Sequence, residues 1–527
     1  MTWDRWLVVA AALGAGYAAG GAWLPRGDVV LGPDFPEDGV HTVFLWAAVA
    51  RGLGPEAPLL HLDSFWFPAG RPLLDAAWNV LDALLAAPLL WALGPIRGVV
   101  AATALFGVLN ALAGGWMGGR VGGPGWPRVV GAVGVGFAPF ALAEIQQGRP
   151  TQALLAPVAL AVGLAWEREG RGVAAGLATA LAGLVYWFYG LFAAVAVGGV
   201  MLARGRGVRA LAWAAVGAIV PILPFFGAVA ARWGDLQGTG ARPSFEVPVA
   251  LPWQVVTPWT PGPDSYVPVA LVALAGAALL TRERRGAFGL LAAAAALWVL
   301  ALGRDVTIGG TRFVLPWAWL RDLPVLERLW WPYRALGPAT VVLAAGASVA
   351  VAGRLRLLAP LACAAVVAQA LALPGLPDAF RAPPAQAWTA ALPPGPVLLL
   401  PALEVRGSRL HLLEQVRHAR PLVNGMGMPH RFLWPPAFAA WWGADPLLVG
   451  IEAVEAGRAP VGAADPAGLR AAGVVGVVAE AAWLGRLPTD ARRWLESALG
   501  TPECTADPRW CVWALDADGG PAGDVPG

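Results

Sequence analysis

What most restricts the fold of this chain is a succession of apolar segments broken by small clusters of arginine. They fall near residues 6–24, 76–94, 98–118, 129–143, 151–166, 172–186, 188–202, 210–228, 266–281, 286–302, 334–352 and 357–373. A helix of about 20 apolar residues crosses the ~30 Å hydrocarbon core of a bilayer, and several of these segments are shorter than that. Composition points the same way. The chain is 57% hydrophobic with mean hydropathy +0.60, and its 13% charged residues are about half the ~25% usual in soluble domains. The expected fold is an all-α polytopic membrane domain.

Arginine supplies all the basic residues, and its clusters set an expected topology. Short loops rich in Arg stay cytoplasmic. Arg120/Arg128, Arg168/Arg171, Arg204/Arg206/Arg209, Arg282/Arg284/Arg285 and Arg354/Arg356 must then enclose even numbers of crossings. That puts the N-terminus inside, and 144–150, 229–265, 303–333 and everything after 373 outside. One segment does not fit. With 25–75 outside, only one of 76–94 and 98–118 can cross before Arg120, and 76–94 carries Asp75, Asn79 and Asp82 at its start. It is assigned to the interface, leaving about eleven spans, with 11–13 covering the other parities. The first apolar run, from Trp6 to Leu24, has no convincing A-x-A cleavage site followed by a soluble protein, many more apolar segments coming after it, and is read as a retained span.

After residue 374 hydropathy falls and strand-like runs appear at Val397–Leu400, Gly473–Ala479 and Trp510–Leu515. Residues 374–527 are read as a small extracytoplasmic α/β domain, and 1–373 as the transmembrane domain with a first outside loop at 25–75. Cys504 and Cys511 bracket a turn-like stretch. An oxidising compartment would join them by a disulfide, the alternative being two buried thiols. Cys363, alone in a span, is a packing residue. The net charge of +3 comes from scattered Arg rather than a basic stripe, so no nucleic-acid partner is expected.

Carboxylates and imidazoles concentrate in the first outside loop: Asp34, Glu37, Asp38, His41, His61, Asp63 and Asp75. A carboxylate there can act as general base toward an acceptor hydroxyl or amine. The bland alternative is a set of solvated loop charges. Asp38, His41 and His61 could instead hold a divalent cation, although no fixed ligand spacing is present.

Later outside loops carry Arg among Trp: Arg232 and Arg242 beside Trp233, Trp253 and Trp259, then Arg304, Arg312, Arg321, Arg328 and Arg334 around Trp330 and Trp331. The planar guanidinium suits a phosphate, and Trp suits the headgroup interface. Between two spans, Glu144 to Pro150 includes Arg149. Ionisable groups so close to lipid often mark a substrate path, against the plainer reading of a solvated turn. Tyr186, Trp187, Phe188 and Tyr189 are expected at a hairpin apex, lining a lipid groove or forming an aromatic belt. No Walker loop, GxSxG, HExxH or CxxC pattern occurs, which argues against nucleotide-driven transport, serine hydrolysis and classical zinc proteolysis.

An acidic first loop, then FWFPAG, NVLDALLAAPLLWALGP, GFAPFALAEIQQGRP and LWWPYR before a late span, resembles bacterial membrane glycosyltransferases of the GT-C superfamily. The tail, with GPVLLLP, QVRHARPLVNGMG and LRAAGVVGVVAE, is similar to the extracytoplasmic domain of many members. The resemblance implies an inner-membrane enzyme that moves a sugar from a polyprenyl-phosphate donor to a glycan, lipid or protein acceptor. It needs no cofactor, with a divalent cation as an option. By the same resemblance Asp38 is the base and Asp34 its substitute. His41, His61, Asp75, Glu144, Arg149, Arg242, Arg312 and Arg334 are then the candidates for holding the substrate and its phosphate. The sequence departs from the family pattern at Glu37, where a Gly often precedes the Asp, and at Gly148-Arg149, where relatives often show Gly-His. Two other classes stay open: a transporter or flippase for a lipid-linked glycan, and a non-catalytic membrane assembly protein.

Overall fold

The computed structural model describes residues 2–33, 37–53, 61–62, 65–72, 80–167, 171–224, 227, 266–308, 310–320, 323, 326, 331–372, 375–382, 387–425, 428, 431, 434–460, 465–505 and 509–515. Packing divides the chain into two compact units. One comprises Met1–Thr42, Trp78–Gly227 and Ser244–Arg381, the other Val43–Ala77, Ala228–Pro243 and Ala382–Gly527. Hydropathy places the change of character near 373, because it sorts segments by solvent. Packing instead groups residues 43–77 with the tail, because it sorts them by neighbours.

The first unit is helical. Among the described residues, five helices are long and apolar enough to cross a membrane: Pro95–Gly122, Trp126–Gln146, Arg284–Ala301, Pro332–Val351 and Leu355–Ala372. Shorter apolar helices include Leu81–Leu93, Pro150–Trp166, Gly172–Val185, Trp187–Ala203 and Val208–Ile222. The chain is an integral membrane protein. Helices Pro95–Gly122 and Trp126–Gly136 form a hairpin whose backbones touch, since a Cβ on Gly114 would lie 2.3 Å from the Gly131 carbonyl oxygen. Small residues drive such packing in lipid, where apolar burial gives no net advantage. Arg128 and the Gly125 N–H, each 3.0 Å from the buried Asp4 carboxylate, fix the N-terminal helix Trp3–Ala19 to this hairpin.

Two helix breaks shape the interior. Ala138 is extended before Pro139, where the helix Pro139–Gln146 starts, as expected of a residue preceding proline. Between Pro150–Ala153 and Ala156–Trp166 the freed backbone groups are met by Asn110. Its Oδ1 accepts from the N–H of Leu155 at 2.8 Å and of Ala156 at 2.9 Å, and its Nδ2 donates to the Ala153 carbonyl at 2.7 Å. A broken helix at membrane depth requires such partners. The strand Val29–Leu31 pairs antiparallel with Ala379–Arg381, closing the ends of this unit on each other.

The second unit is built on a four-stranded sheet in the order Val397–Leu400, Gly476–Glu480, Trp510–Ala514, Glu503–Cys504. The first pair is parallel and the others antiparallel. Trp388, Leu392, Val397, Leu399, Leu422, Val478, Trp510 and Val512 form its core. Cys504 and Cys511 face each other across the last pair and are joined by a disulfide. Beyond Val397–Leu400 the chain at 421–424 adds a further rung. The N–H of Val397 donates to Pro421 and that of Val423 to Val397, while the Asn424 side chain pairs with both backbone groups of Leu399.

The FWFPAG turn of the first loop continues this pattern, with the N–H groups of Trp66 and Phe67 donating to Asn424 and Leu422 at 3.2 and 3.0 Å. Trp66 is fully buried against Trp434 and Phe438. Much of the rest of the loop is the helix Glu37–Gly52. Its Arg51 donates to the carbonyls of Gln415 and Val416, near the C-terminal end of the helix Val405–His418, where a cation is favoured by the open carbonyls and the helix dipole.

Candidate functional site

The turn after the helix Pro139–Gln146 sets the site. Gly148 has φ +79, and a Cβ there would lie 2.5 Å from the Gly39 backbone nitrogen. A side chain would therefore separate the turn from the start of helix Glu37–Gly52. Thr42 ties the same two segments, donating to the Asp38 and Gly148 carbonyls at 2.9 and 3.2 Å, geometries its single hydroxyl proton shares or alternates between. This close approach brings Arg149 to Asp38.

Glu144 is the centre of the cluster and is 1% exposed. Arg149 Nε lies 3.0 Å from its Oε2 and Arg334 Nε 3.9 Å from the same atom. The Tyr333 hydroxyl donates to Glu144 Oε1 at 2.8 Å. Arg334, itself buried, donates to the Tyr186 hydroxyl at 2.8 Å, and its guanidinium carbon stands 4.6 Å from the centre of the Trp331 ring. Arg149 reaches outward as well, with Nη1 3.6 Å from Asp38 Oδ2. Burial works against the charge of Arg149, but Glu144, with Tyr333 and Asp38, raises its pKa above the usual guanidinium value. Glu144 Oε2, Arg149 Nε and Arg334 Nε are sealed from solvent, yet have no aligned hydrogen bond among the described residues. Their contacts with one another are ionic.

Asp38 differs from Glu144 in access. Its side chain is 48% exposed against 2% for Glu144, so Asp38 can meet an incoming group while Glu144 cannot without rearrangement. Two carboxylates and two guanidinium groups balance formally. A buried set of this kind is costly to form but costlier to break by removing one member. Behind it, Tyr189 donates to the Gln152 carbonyl and Thr151 to the fully buried Asp82.

Of the residues expected from sequence, Asp38, Glu144, Arg149 and Arg334 come together. The reading of Glu144 as part of a solvated turn does not describe it, because the helix carries it inward. His41 is half-buried, one helical turn beyond Asp38. Arg312 pairs with Asp305 across the hairpin Asp305–Ile308 and Thr311–Val314. His61 is described only as backbone in the strand His61–Leu62, paired with Arg71–Pro72. Asp34, Asp75 and Arg242 lie outside the described residues. Among the described residues no three of His, Cys, Asp and Glu converge to hold a metal ion.

Tyr333 belongs to this cluster and is not singled out by the sequence; Tyr186 reads there only as lining a lipid groove or forming a belt, and Asp82 only as a charge at the start of 76–94. A signal for the tyrosines was present. The chain has 28 Trp but only 5 Tyr, and Tyr186, Tyr189 and Tyr333 all gather at this cluster, so hydroxyl-bearing rings were placed where a hydrogen bond was needed.

No protein-family model matches the sequence, and no curated protein matches it. Solved structures do. ArnT from Cupriavidus metallidurans, in the apo state, superposes with a TM-score of 0.50 at 15% identity, covering 98% of this chain and 99% of that one. The arabinofuranosyltransferase AftD from Mycobacteria gives a TM-score of 0.50 at 17% identity over 97% of this chain. The chain spans only 42% of the length of AftD. At these identities what is shared is the fold.

Proposed function

Because the chain has the fold of the GT-C membrane glycosyltransferases, we propose that it transfers a sugar from a polyprenyl-phosphate donor to a glycan, lipid or protein acceptor on the extracytoplasmic side of a bacterial inner membrane. Residues 1–373 hold the lipid and 374–527 stand outside, with the N-terminus in the cytoplasm. The observation that carries this reading is Arg149, which contacts both the buried Glu144 and the half-exposed Asp38.

In this mechanism the donor phosphate lies against Arg149 and Arg334, whose planar donors suit phosphate oxygens. Glu144 and Tyr186 hold those guanidinium groups in place before substrate arrives, so little reorganisation is needed as charge develops. The Asp38 carboxylate takes the proton from the acceptor hydroxyl. The acceptor oxygen forms its bond to the anomeric carbon as the bond from that carbon to the phosphate oxygen breaks, and polyprenyl phosphate leaves carrying the electron pair and its charge toward the two Arg residues. Asp34 is the substitute base. No cofactor is assigned, and chelation with EDTA in the same assay reads any divalent-cation requirement.

The test uses membranes containing the full chain and a radiolabelled polyprenyl-phosphate sugar, with Asp38→Asn and Asp34→Asn made separately. Loss of about 10²–10⁴-fold in transfer is expected for the base. Full transfer by both variants would overturn it. Mass spectrometry of co-purified lipid supplies the second arm: a purified chain that never retains a polyprenyl-phosphate sugar removes the donor assignment.

A further inference from the structure

A second polar site lies at the other ends of helices Gly172–Val185 and Trp187–Ala203 from the Tyr186 cluster. There a cleft of about 560 Å³ opens between these helices, the end of Ala156–Trp166 and the start of Val208–Ile219. Its polar wall is Arg171, Arg206, Arg209 and Glu167, and its apolar wall includes Val173 and Trp213. The carboxylate among the described lining residues, that of Glu167, is drawn to Arg171 at 2.9 Å and to Arg120 at 2.7 Å. Among the described lining residues Arg171, Arg206 and Arg209 stand against that one carboxylate, a formal excess of positive charge.

The apolar wall does not stop at the cleft. Val173 is 41% exposed and continues along its helix through Leu177 and Leu181, exposed by 45% and 40%, while Trp213 continues through Val216 and Val220, exposed by 49%, 44% and 55%. Residues three or four apart share one helix face, so each series is an unbroken apolar row leading away from the arginines. A small anion would use only the charged end. A cationic cleft joined to two apolar rows matches an amphiphile with a phosphate head.

We propose that this cleft binds the phosphate headgroup of an anionic phospholipid, its acyl chains lying along the Val173 and Trp213 rows. The site is separate from the cluster around Glu144. The helix Gly172–Val185 has 14 residues, about 20 Å of axial rise, too far for one phosphate to touch both. The proposal does not depend on the transfer reaction proposed above.

The test compares the purified full chain in phosphatidylcholine nanodiscs with and without phosphatidylglycerol, reading retained lipid by native mass spectrometry and the melting temperature. Wild type is expected to retain phosphatidylglycerol and to melt higher in its presence. Arg209→Gln, and separately Arg171→Gln, should each weaken retention about fivefold, the effect of one basic residue at an anionic surface. Their melting in pure phosphatidylcholine is the folding control, and Trp213→Ala is a second probe that leaves the arginines intact and should shorten lipid retention. Retention equal to wild type in Arg209→Gln and Trp213→Ala would overturn the proposal. So would an equal rise in melting temperature with inorganic phosphate alone, which would make the ligand a water-soluble phosphate.

Discussion

Arg149 Nε sits 3.0 Å from the buried carboxylate of Glu144 while its Nη1 stands 3.6 Å from the half-exposed carboxylate of Asp38. One cation is thus shared between a carboxylate that solvent cannot reach and one that it can. The buried member fixes the guanidinium and the exposed member keeps a carboxylate oxygen at the open edge. This asymmetry separates two environments that the sequence presents as one acidic group near another, and it leads to the first prediction.

Glu144→Gln removes the charge that compensates two buried or nearly buried cations. Breaking a buried ionic set by deleting one partner costs about 3–5 kcal/mol. The variant is expected to lose several degrees of melting temperature in detergent, measured by differential scanning fluorimetry, whereas Asp38→Asn, at a half-exposed position, should melt close to wild type. Equal melting of all three would show that Glu144 does not carry the electrostatic load assigned to it.

Tyr186→Phe keeps the ring beside Arg334 but removes the hydroxyl that accepts its hydrogen bond. A hydrogen bond to a charged group contributes about 1.5–3 kcal/mol, so sugar transfer should fall about 10–100-fold. The loss should appear mainly as a higher KM for the lipid-linked donor. A variant with an unchanged KM would detach Tyr186 from the phosphate site.

In the second unit, Gly425 is packed onto the Trp66 ring, and a Cβ there would lie 2.2 Å from ring atoms. Gly425→Ala must displace a buried indole, at a cost of about 1–3 kcal/mol for an overpacked core. Limited proteolysis should cut the tail of this variant faster than that of the wild type. The smaller partner Trp66→Leu in the same background should recover part of the loss, which a local effect at 425 alone would not allow.

His411 is fully buried with neither ring nitrogen hydrogen-bonded among the described residues, and His418 uses its Nδ1 to accept from the Arg420 N–H. Burial lowers both from the ordinary 6.5 to about 3. Between those values the unfolded chain binds more protons than the folded one, so stability falls as pH drops from about 6.5 toward 3. His411→Leu removes one of these protonation sites and an unpaired polar group. It should raise the melting temperature at neutral pH and flatten the acid limb of a melting curve taken against pH. An acid limb as steep as wild type would assign the pH dependence elsewhere.

The repeated apolar runs were legible because lipid demands them segment by segment. The strands Val397–Leu400 and Trp510–Ala514 were legible because a buried strand is a short apolar run between turn residues. The pairing of Cys504 with Cys511 was expected because they bracket a turn-like stretch in a tail that the Arg pattern places outside. Less legible was the FWFPAG turn. The sequence marks it as part of the first outside loop, but the backbone of Trp66 and Phe67 bonds to residues more than 350 positions later, and such a partnership leaves no local mark.

By itself the sequence determined that this is a membrane protein with a strand-bearing tail; it set Glu144 and Arg149 beside the lipid, with a solvated turn as the alternative, and Arg334 in an outside loop of Arg and Trp. These are properties of single segments and of their solvent. Tertiary structure decided that Asp38 meets Arg149, and that Tyr333 and Tyr186 complete the cluster. Those contacts join residues from four distant segments, and they depend on where helices break and on how closely Gly148 lets two backbones approach, which hydropathy and spacing do not encode.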